Sequence, residues 1–88
     1  MIKIKIEYEG WMAYELGIFE EEVVFQREGF KVLDLIQYLK SKNIKYRNLF
    51  ENYKQASYIA INNKECFDEN HFLKNQDNIV FHMQKVGG

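Results

Sequence analysis

A strict alternation of apolar and charged residues near the start of the sequence places the strongest constraint on the fold. Residues 2–8 alternate between two faces, and the apolar positions are Ile2, Ile4, Ile6 and Tyr8. A period of two residues is typical of a β-strand with one buried face. Gly10 interrupts the pattern. We therefore predict a strand over residues 2–8 that covers one side of a hydrophobic core.

Two further segments follow this strand. Residues 22–26 predict a second strand, which would pair with the first as a hairpin. Between the two strands, residues 11–18 are predicted to be a loop that could include one helical turn. The three glutamates at residues 20–22 are predicted to be a solvated acidic stretch. The apolar residues Val32, Leu35, Ile36 and Leu39 have helical spacing. They predict an amphipathic helix over about residues 32–42.

The second half of the sequence adds two strands with a short return between them. Residues 58–62 and 79–83 are apolar runs bounded by turn residues, and residues 64–67 form the return. Residues 43–56 carry aromatic residues at about helical spacing, which is compatible with a short second helix. The first and last strands are the most apolar, so we predict that they are central neighbours in the sheet.

This order, β-β-α-(α)-β-(β)-β, predicts an α+β fold with a mixed sheet of four or five strands and one main helix packed across one face. It is the β-grasp arrangement of ubiquitin-like proteins. Residues 1–83 are predicted to form this domain, and residues 84–88 a flexible C-terminal tail. With 88 residues, the chain has the size of one domain.

The sequence closes on Gly87 and Gly88, directly after the last predicted strand. Glycine has no Cβ and the widest range of backbone angles. Such a segment can enter a narrow cleft and present its carboxylate to a nucleotide or a sulfur donor. The alternative is a frayed terminus without a function of its own.

Charge and composition exclude several classes of function. The 12 basic and 13 acidic residues give a net charge of −1, which argues against a nucleic-acid partner. A single cysteine fits a reducing compartment. The sequence has no run of 18 apolar residues, and residues 1–6 lack the pattern of a secretory signal. We therefore expect a cytoplasmic protein that has no membrane partner.

Three residues could in principle carry metal or sulfur chemistry: Cys66, His71 and His82. No second His or Cys lies at ligand spacing, so no metal site is predicted. Cys66 is interpreted as a small buried hydrophobic residue in preference to a persulfide relay. His82 is either solvated or in contact with a partner.

Four stretches together resemble the MoaD/ThiS-type sulfur carriers. Residues 11–17 (Trp-Met-Ala-Tyr-Glu-Leu-Gly) are similar to the segment that follows the first strand of MoaD-like proteins. Residues 32–36 (Val-Leu-Asp-Leu-Ile) are similar to their helix start, and residues 59–62 (Ile-Ala-Ile-Asn) to a strand and turn. Residues 77–81 (Asp-Asn-Ile-Val-Phe) with the closing residues 86–88 (Val-Gly-Gly) are similar to their C-terminal end. The longer segment at residues 43–56 favours the MoaD-like class over the shorter ThiS class.

The resemblance implies a carrier that is not itself an enzyme and binds no cofactor. An adenylyltransferase of the MoeB/ThiF type, related to ubiquitin-activating enzymes, would use ATP to couple the Gly88 carboxylate to AMP. A sulfur donor would then convert it to a thiocarboxylate, with Gly87 beside it. The large subunit of molybdopterin synthase (MoaE type) would pass this sulfur to a pterin precursor.

We expect partners to bind near the tail, through Lys85 and Val86 and through one face of the sheet. His82 lies on the face of the last strand opposite Ile79 and Phe81. Val80 and Tyr58, with Ala60, are predicted to share the His82 face and to form an apolar patch.

MoaD-like chains usually carry Pro-Pro-Val-Ser where this sequence has residues 83–86, and this difference leaves the exact partner open more than the carrier role. Three alternatives to a carrier for molybdopterin synthesis stay open. The carrier could serve thiamin synthesis, with a thiazole synthase as its acceptor, or the synthesis of another sulfur-containing metabolite. It could be a ubiquitin-like modifier joined to lysines of other proteins. It could also be a β-grasp interaction module with a passive tail.

Overall fold

The computed structural model describes residues 1–84 and contains the predicted mixed sheet. The elements in chain order are β1 (Ile2–Tyr8), α1 (Gly10–Leu16), β2 (Glu20–Phe25), α2 (Val32–Lys40), α3 (Ile44–Glu51), a 3-10 turn (Tyr53–Gln55), β3 (Ser57–Ile61), β4 (Lys64–Cys66) and β5 (Asn78–Met83). The predicted α+β fold class is confirmed, and the described residues contain α1 and α3 in addition to the main helix.

The sheet has five strands in the order β2-β1-β5-β3-β4. β1 and β5 are parallel neighbours at its centre, as the sequence predicts, with Ile6 opposite Ile79 and Tyr8 opposite Phe81. The remaining strand pairs are antiparallel. Because β1 and β5 run in the same direction, both finish at the same end of the sheet, where β5 leads into Gln84.

The hydrophobic core lies between one face of the sheet and the three α-helices. Alternate residues of β1 and β5 point into it, and Ile4, Ile6, Ile79 and Phe81 are completely buried. The helices cover these side chains with Met12 from α1, Leu35 and Leu39 from α2, and Phe50 from α3. Phe81 contacts the rings of Tyr8, Phe50 and Tyr53, with centroids 5.2–5.9 Å apart.

The prediction of a loop over residues 11–18 is wrong, because Gly10–Leu16 form the helix α1. Its buried residues, Met12 and Ala13, are too few to produce a clear helical period in the sequence. The tertiary contact with the core decides the conformation instead. Gly17 ends the helix with a left-handed φ of 75°, and its N–H donates to the carbonyl of Ala13.

Helices α2 and α3 form where the sequence predicts a helix and a possible second helix. At the start of α2, the Asp34 carboxylate accepts a hydrogen bond of 2.9 Å from the backbone N–H of Lys31. This bond satisfies the backbone N–H of Lys31. The Lys31 side chain cannot cap the helix itself, because its ammonium group has no hydrogen-bond acceptor. α3 has a conventional cap, since the Asn43 side chain accepts from the backbone N–H of Tyr46. Within residues 1–84, the helices are too short and too polar for any of them to cross a membrane.

Candidate functional site

The exit segment, Met83 and Gln84, is held by hydrogen bonds to both sides of β5. The backbone N–H of Met83 donates to Glu9 Oε1 at 3.3 Å, and that of Gln84 donates to the carbonyl of Ala56 at 2.9 Å. The Gln84 amide nitrogen also donates to the carbonyls of Lys54 and Ser57 at 3.2 and 3.3 Å. Gln84, which the sequence assigns to the tail, therefore bonds to the body of the domain.

The remaining tail residues lie outside the described part of the chain. These are the predicted reactive end, Gly87 and Gly88, and the predicted partner contacts Lys85 and Val86. The structure defines where these tail residues start, because Gln84 is hydrogen-bonded at the end of the sheet where β1 and β5 finish.

A close contact between Gly10 and Met83 shapes the exit segment. Gly10 has a left-handed φ of 55°, and a Cβ added to it would lie 2.8 Å from Met83 Cγ. Real Cβ atoms essentially never approach this closely, so any other residue at position 10 would have to displace the Met83 side chain in addition to adopting a positive φ. The start of α1 and the end of β5 are therefore packed directly against each other.

We expect Gly10→Ala to destabilise the domain, because it adds this contact to the cost of a left-handed alanine, about 1–2 kcal/mol. The measurement is the free energy of unfolding in urea. Gly17→Ala is the matched control, since Gly17 also has a positive φ but no atoms within 4 Å of an added Cβ. Equal losses in the two variants would show that the contact with Met83 adds nothing.

The open face of the sheet places the predicted docking residues together. In the β3–β5 register, Tyr58 lies opposite His82 and Ala60 opposite Val80. The Tyr58 and His82 rings stack with centroids 5.2 Å apart, and His82 Nδ1 lies 2.9 Å from Glu9 Oε2. The predicted sharing of one face is confirmed by this register, while the binding role of these residues stays a prediction.

The predicted apolar patch is smaller than the sequence suggests. Val80 and Ala60 are only 7% and 4% exposed, so they contribute little accessible surface. Phe67, which the sequence analysis missed, is 74% exposed, and its ring centroid lies 6.4 Å from that of Tyr58. The signal that could have found it is its position directly after the short return strand. Tyr58 and Phe67 are thus the accessible aromatic residues here.

The acidic stretch in β2 is only partly solvated, which corrects the sequence prediction. Glu20 and Glu22 face solvent and form surface ion pairs with Lys5 and Lys3. Glu21 is directed towards the core side, where its Oε2 accepts hydrogen bonds from the Tyr8 and Tyr46 hydroxyls at 2.7 and 2.8 Å. Its Oε1 pairs with the Lys42 ammonium group. These donors come from β1, α3 and the α2–α3 connection, so no local sequence signal predicts them.

We call Tyr8, Glu21, Lys42 and Tyr46 the Glu21 cluster. Burial by itself would raise the pKa of Glu21, but the hydrogen bonds from Lys42, Tyr8 and Tyr46 outweigh it and lower that pKa. Burial and the hydrogen bond to Glu21 raise the pKa of Tyr8 and of Tyr46, so both phenols remain donors at neutral pH. Through its hydrogen bonds and ion pair, the Glu21 cluster connects α3 to the sheet.

We expect Glu21→Gln to destabilise the domain by about 1.5–3 kcal/mol at neutral pH, the usual value of hydrogen bonds to a charged group. A lowered folded-state pKa stabilises the fold above the unfolded-state pKa, and this stabilisation is lost as the pH falls through the folded-state pKa. The difference between the two proteins should therefore shrink in acid.

Urea unfolding at neutral and acidic pH measures this difference, with Glu22→Gln as the exposed neighbour that should change little. A loss of stability that stays constant with pH would show that Glu21 acts through packing and not through its charge.

No group of three His, Cys, Asp or Glu residues within residues 1–84 is arranged to hold a metal ion. Cys66 is partly buried against the core, and its Sγ lies 3.5 Å from the carbonyl oxygen of Asp68. The described residues thus bring together a fixed strand end, two accessible aromatic rings and a stacked histidine beside the start of the tail.

Comparison with known proteins identifies the fold. No protein-family model matches the sequence, and no curated protein matches it significantly. A solved structure from Pyrococcus furiosus, described as a putative molybdopterin converting factor, subunit 1, is similar with a TM-score of 0.75 and 24% identity. The match covers 92% of this chain and 95% of that one.

Two solved structures from Haloferax volcanii are also similar. One, of SAMP1, has a TM-score of 0.75 and 12% identity over 98% of this chain and 99% of that one. The other, of small archaeal modifier protein 1, has a TM-score of 0.68 and 10% identity over 92% and 95%. At these identities the likeness establishes the fold: the chain has the β-grasp fold of ubiquitin-like proteins, as the sequence predicts.

Proposed function

We propose that the chain is a ubiquitin-like sulfur carrier whose reactive group is the carboxylate of Gly88. The observation that carries the proposal is the position of the closing glycines: they follow, after a few residues, the end of the central strand β5 in a β-grasp domain. The likeness to a putative molybdopterin converting factor subunit supports the same function.

The proposed chemistry has two steps, both catalysed by partners. In an adenylyltransferase of the MoeB/ThiF type, a Gly88 carboxylate oxygen attacks the α-phosphorus of ATP, which forms an acyl-adenylate and releases pyrophosphate. A nucleophile at the oxidation level of sulfide then attacks the carbonyl carbon, and AMP leaves. Activation has to come first because a free carboxylate is a poor electrophile. The product is a thiocarboxylate on Gly88. Its sulfur is ionised, and the ionised form of sulfur is the nucleophile.

We propose molybdopterin synthesis as the destination of this sulfur, with the large subunit of molybdopterin synthase as the acceptor. The chain would then act as the non-catalytic small subunit of that enzyme, in the cytoplasm. A thiazole synthase is the alternative acceptor of the same chemistry, and neighbouring genes distinguish the two.

The anchored exit segment supports this proposal. In this proposal the described residues contribute a docking surface and a fixed point, Gln84, from which the tail starts. Tyr58, His82 and Phe67 lie on or beside the strand from which the tail starts. A partner that contacts them therefore binds beside the tail.

Isotope exchange between pyrophosphate and ATP tests the first step. The purified chain is incubated with its cognate adenylyltransferase, ATP and labelled pyrophosphate. We expect label to enter ATP only when the chain is present, because exchange requires a reversibly formed acyl-adenylate. Exchange at the same low rate with and without the chain would contradict the proposal.

A protein modifier is the second candidate function, and the likeness to two modifier structures favours it. It shares the adenylation step but ends in an amide bond between Gly88 and a lysine. Mass spectrometry of proteins from the source cells tests it. Peptides carrying the Gly88 carboxyl group on a lysine Nζ would support it, and a carrier found only in unconjugated form would exclude it.

A further inference from the structure

A cavity of about 110 Å³ opens next to the anchored exit segment. β4 pairs only with Ile59–Ile61, so within residues 1–84 no strand covers the outer edge of Ser57 and Tyr58. The cavity lies at this uncovered edge, and Gln84 forms part of its wall. We call it the exit cavity.

The lining of the exit cavity is mostly apolar. Its walls include Val32, Tyr53, Tyr58, Ile59, Cys66 and Phe67. An apolar cavity of about 150 Å³ can hold benzene, so the volume found here suits one aliphatic side chain such as valine or leucine. Burial, followed by the nearby negative charges, raises the pKa of Tyr53 to about 12, so its hydroxyl is neutral at physiological pH.

The rim of the exit cavity has a defined charge. Lys54 and Glu69 form an ion pair and compensate each other. Asp68 forms no ion pair with the described residues, and its carboxylate accepts only the backbone N–H of Asn70 in the hydrogen bonds observed. Among residues 1–84 the uncompensated charge at the rim is therefore negative, and it suits a lysine or arginine of a partner.

We infer that the exit cavity receives an aliphatic side chain of the adenylyltransferase, flanked by a lysine or arginine that pairs with Asp68. This inference rests on the proposed function and names the contact by which the partner binds. Gly88 lies four residues beyond Gln84, a span of at most about 14 Å. The ATP site of a partner bound in this way would lie within that distance of the cavity.

The single cysteine of the chain offers a reversible way to fill the cavity. Methyl methanethiosulfonate converts the Cys66 thiol to a methyl disulfide with loss of methanesulfinate, and a thiol reductant removes the methylthio group again. We expect treatment to raise the KM for the chain in pyrophosphate exchange about tenfold to a hundredfold, the value of burying one aliphatic side chain. The rate at saturation should not change, and reduction should restore the KM.

Cys66→Ala is the matched control, because the reagent has no other cysteine to modify, and its KM should not respond to treatment. A charge test accompanies it: Asp68→Lys should raise the KM about threefold to tenfold at low salt. Glu28→Lys makes the same change in charge at an exposed residue that does not line the cavity and should have little effect.

The outcomes separate this inference from the proposed function. Exchange with a KM that neither modification of Cys66 nor Asp68→Lys alters would overturn the inference and leave the proposed function standing. Absence of exchange with the untreated chain would overturn both. Sedimentation of the chain alone excludes another occupant: if the methylthio group dissociates a dimer, a second copy fills the cavity and the inference is wrong.

Discussion

Deletion of Gly87 and Gly88 is expected to abolish pyrophosphate exchange and every later sulfur transfer. The physical reason is that the shortened chain ends at Val86, whose branched side chain stands beside the new carboxylate. A narrow cleft that admits a residue without Cβ does not admit valine. The new end also lies two residues closer to Gln84, and positioning errors of this size remove the benefit of a preorganised site.

Two controls belong to this deletion. Urea unfolding of the shortened chain separates loss of the reactive end from loss of the fold. Addition of one alanine after Gly88 keeps every native residue and moves only the carboxylate, so we expect it to prevent exchange as well. If either variant retained the exchange rate of the native chain, Gly88 would not be the reactive residue.

Replacement of Phe81 by alanine is expected to cost about 3–5 kcal/mol of stability, the usual range for removing a buried phenylalanine. Phe81 is fully buried in the central strand and contacts three aromatic rings, those of Tyr8, Phe50 and Tyr53. These rings come from β1, α3 and the 3-10 turn, so the cavity cannot be closed by movement of a single element. A small domain has a total stability of about 5–15 kcal/mol, and the variant should be close to unfolding.

Chemical denaturation and the thermal midpoint measure this loss. Phe19→Ala is the control, because Phe19 is 79% exposed and its removal should change stability by less than about 0.5 kcal/mol. A loss for Phe81→Ala as small as that for Phe19→Ala would contradict the described core. Since β5 leads into the exit segment, we also expect weaker binding of the adenylyltransferase to the Phe81 variant.

The parts of the fold that the sequence predicts are those with a strong local period. β1 alternates over seven residues, and its predicted bounds agree with the observed ones. α2 carries four buried residues at helical spacing, and its predicted position is confirmed. The apolar character of β1 and β5 also predicts their place at the centre of the sheet, because central strands are shielded on both sides by neighbours.

The parts that the sequence misses depend on residues far apart in the chain. α1 owes its helical conformation to the burial of Met12 and Ala13 against the core. Glu21 lies in a run of three glutamates, and its distinct environment comes from Tyr8 and Tyr46, which are 13 and 25 residues away. The residues next to Glu21 in the sequence do not predict such contacts.

The sequence likewise predicts some properties of the candidate site and misses others. Strand parity places Tyr58, Val80 and His82 on one face, and the register confirms it. The alternation of residues along a strand predicts the face of a side chain but not its solvent accessibility. The burial of Val80 and the exposure of Phe67 therefore follow only from the structure. The sequence does not predict the exit cavity either, because its walls come from α2, the 3-10 turn, β3, β4 and Gln84, which are far apart in the chain.

The mass of the intact chain, measured after incubation with the adenylyltransferase, ATP and a sulfide-level sulfur donor, tests the central proposal most directly. We predict a gain equal to the exchange of one oxygen for one sulfur, located at Gly88 by fragmentation and absent when ATP is omitted. An unchanged mass with an adenylyltransferase that supports pyrophosphate exchange would contradict the proposal that the chain carries sulfur.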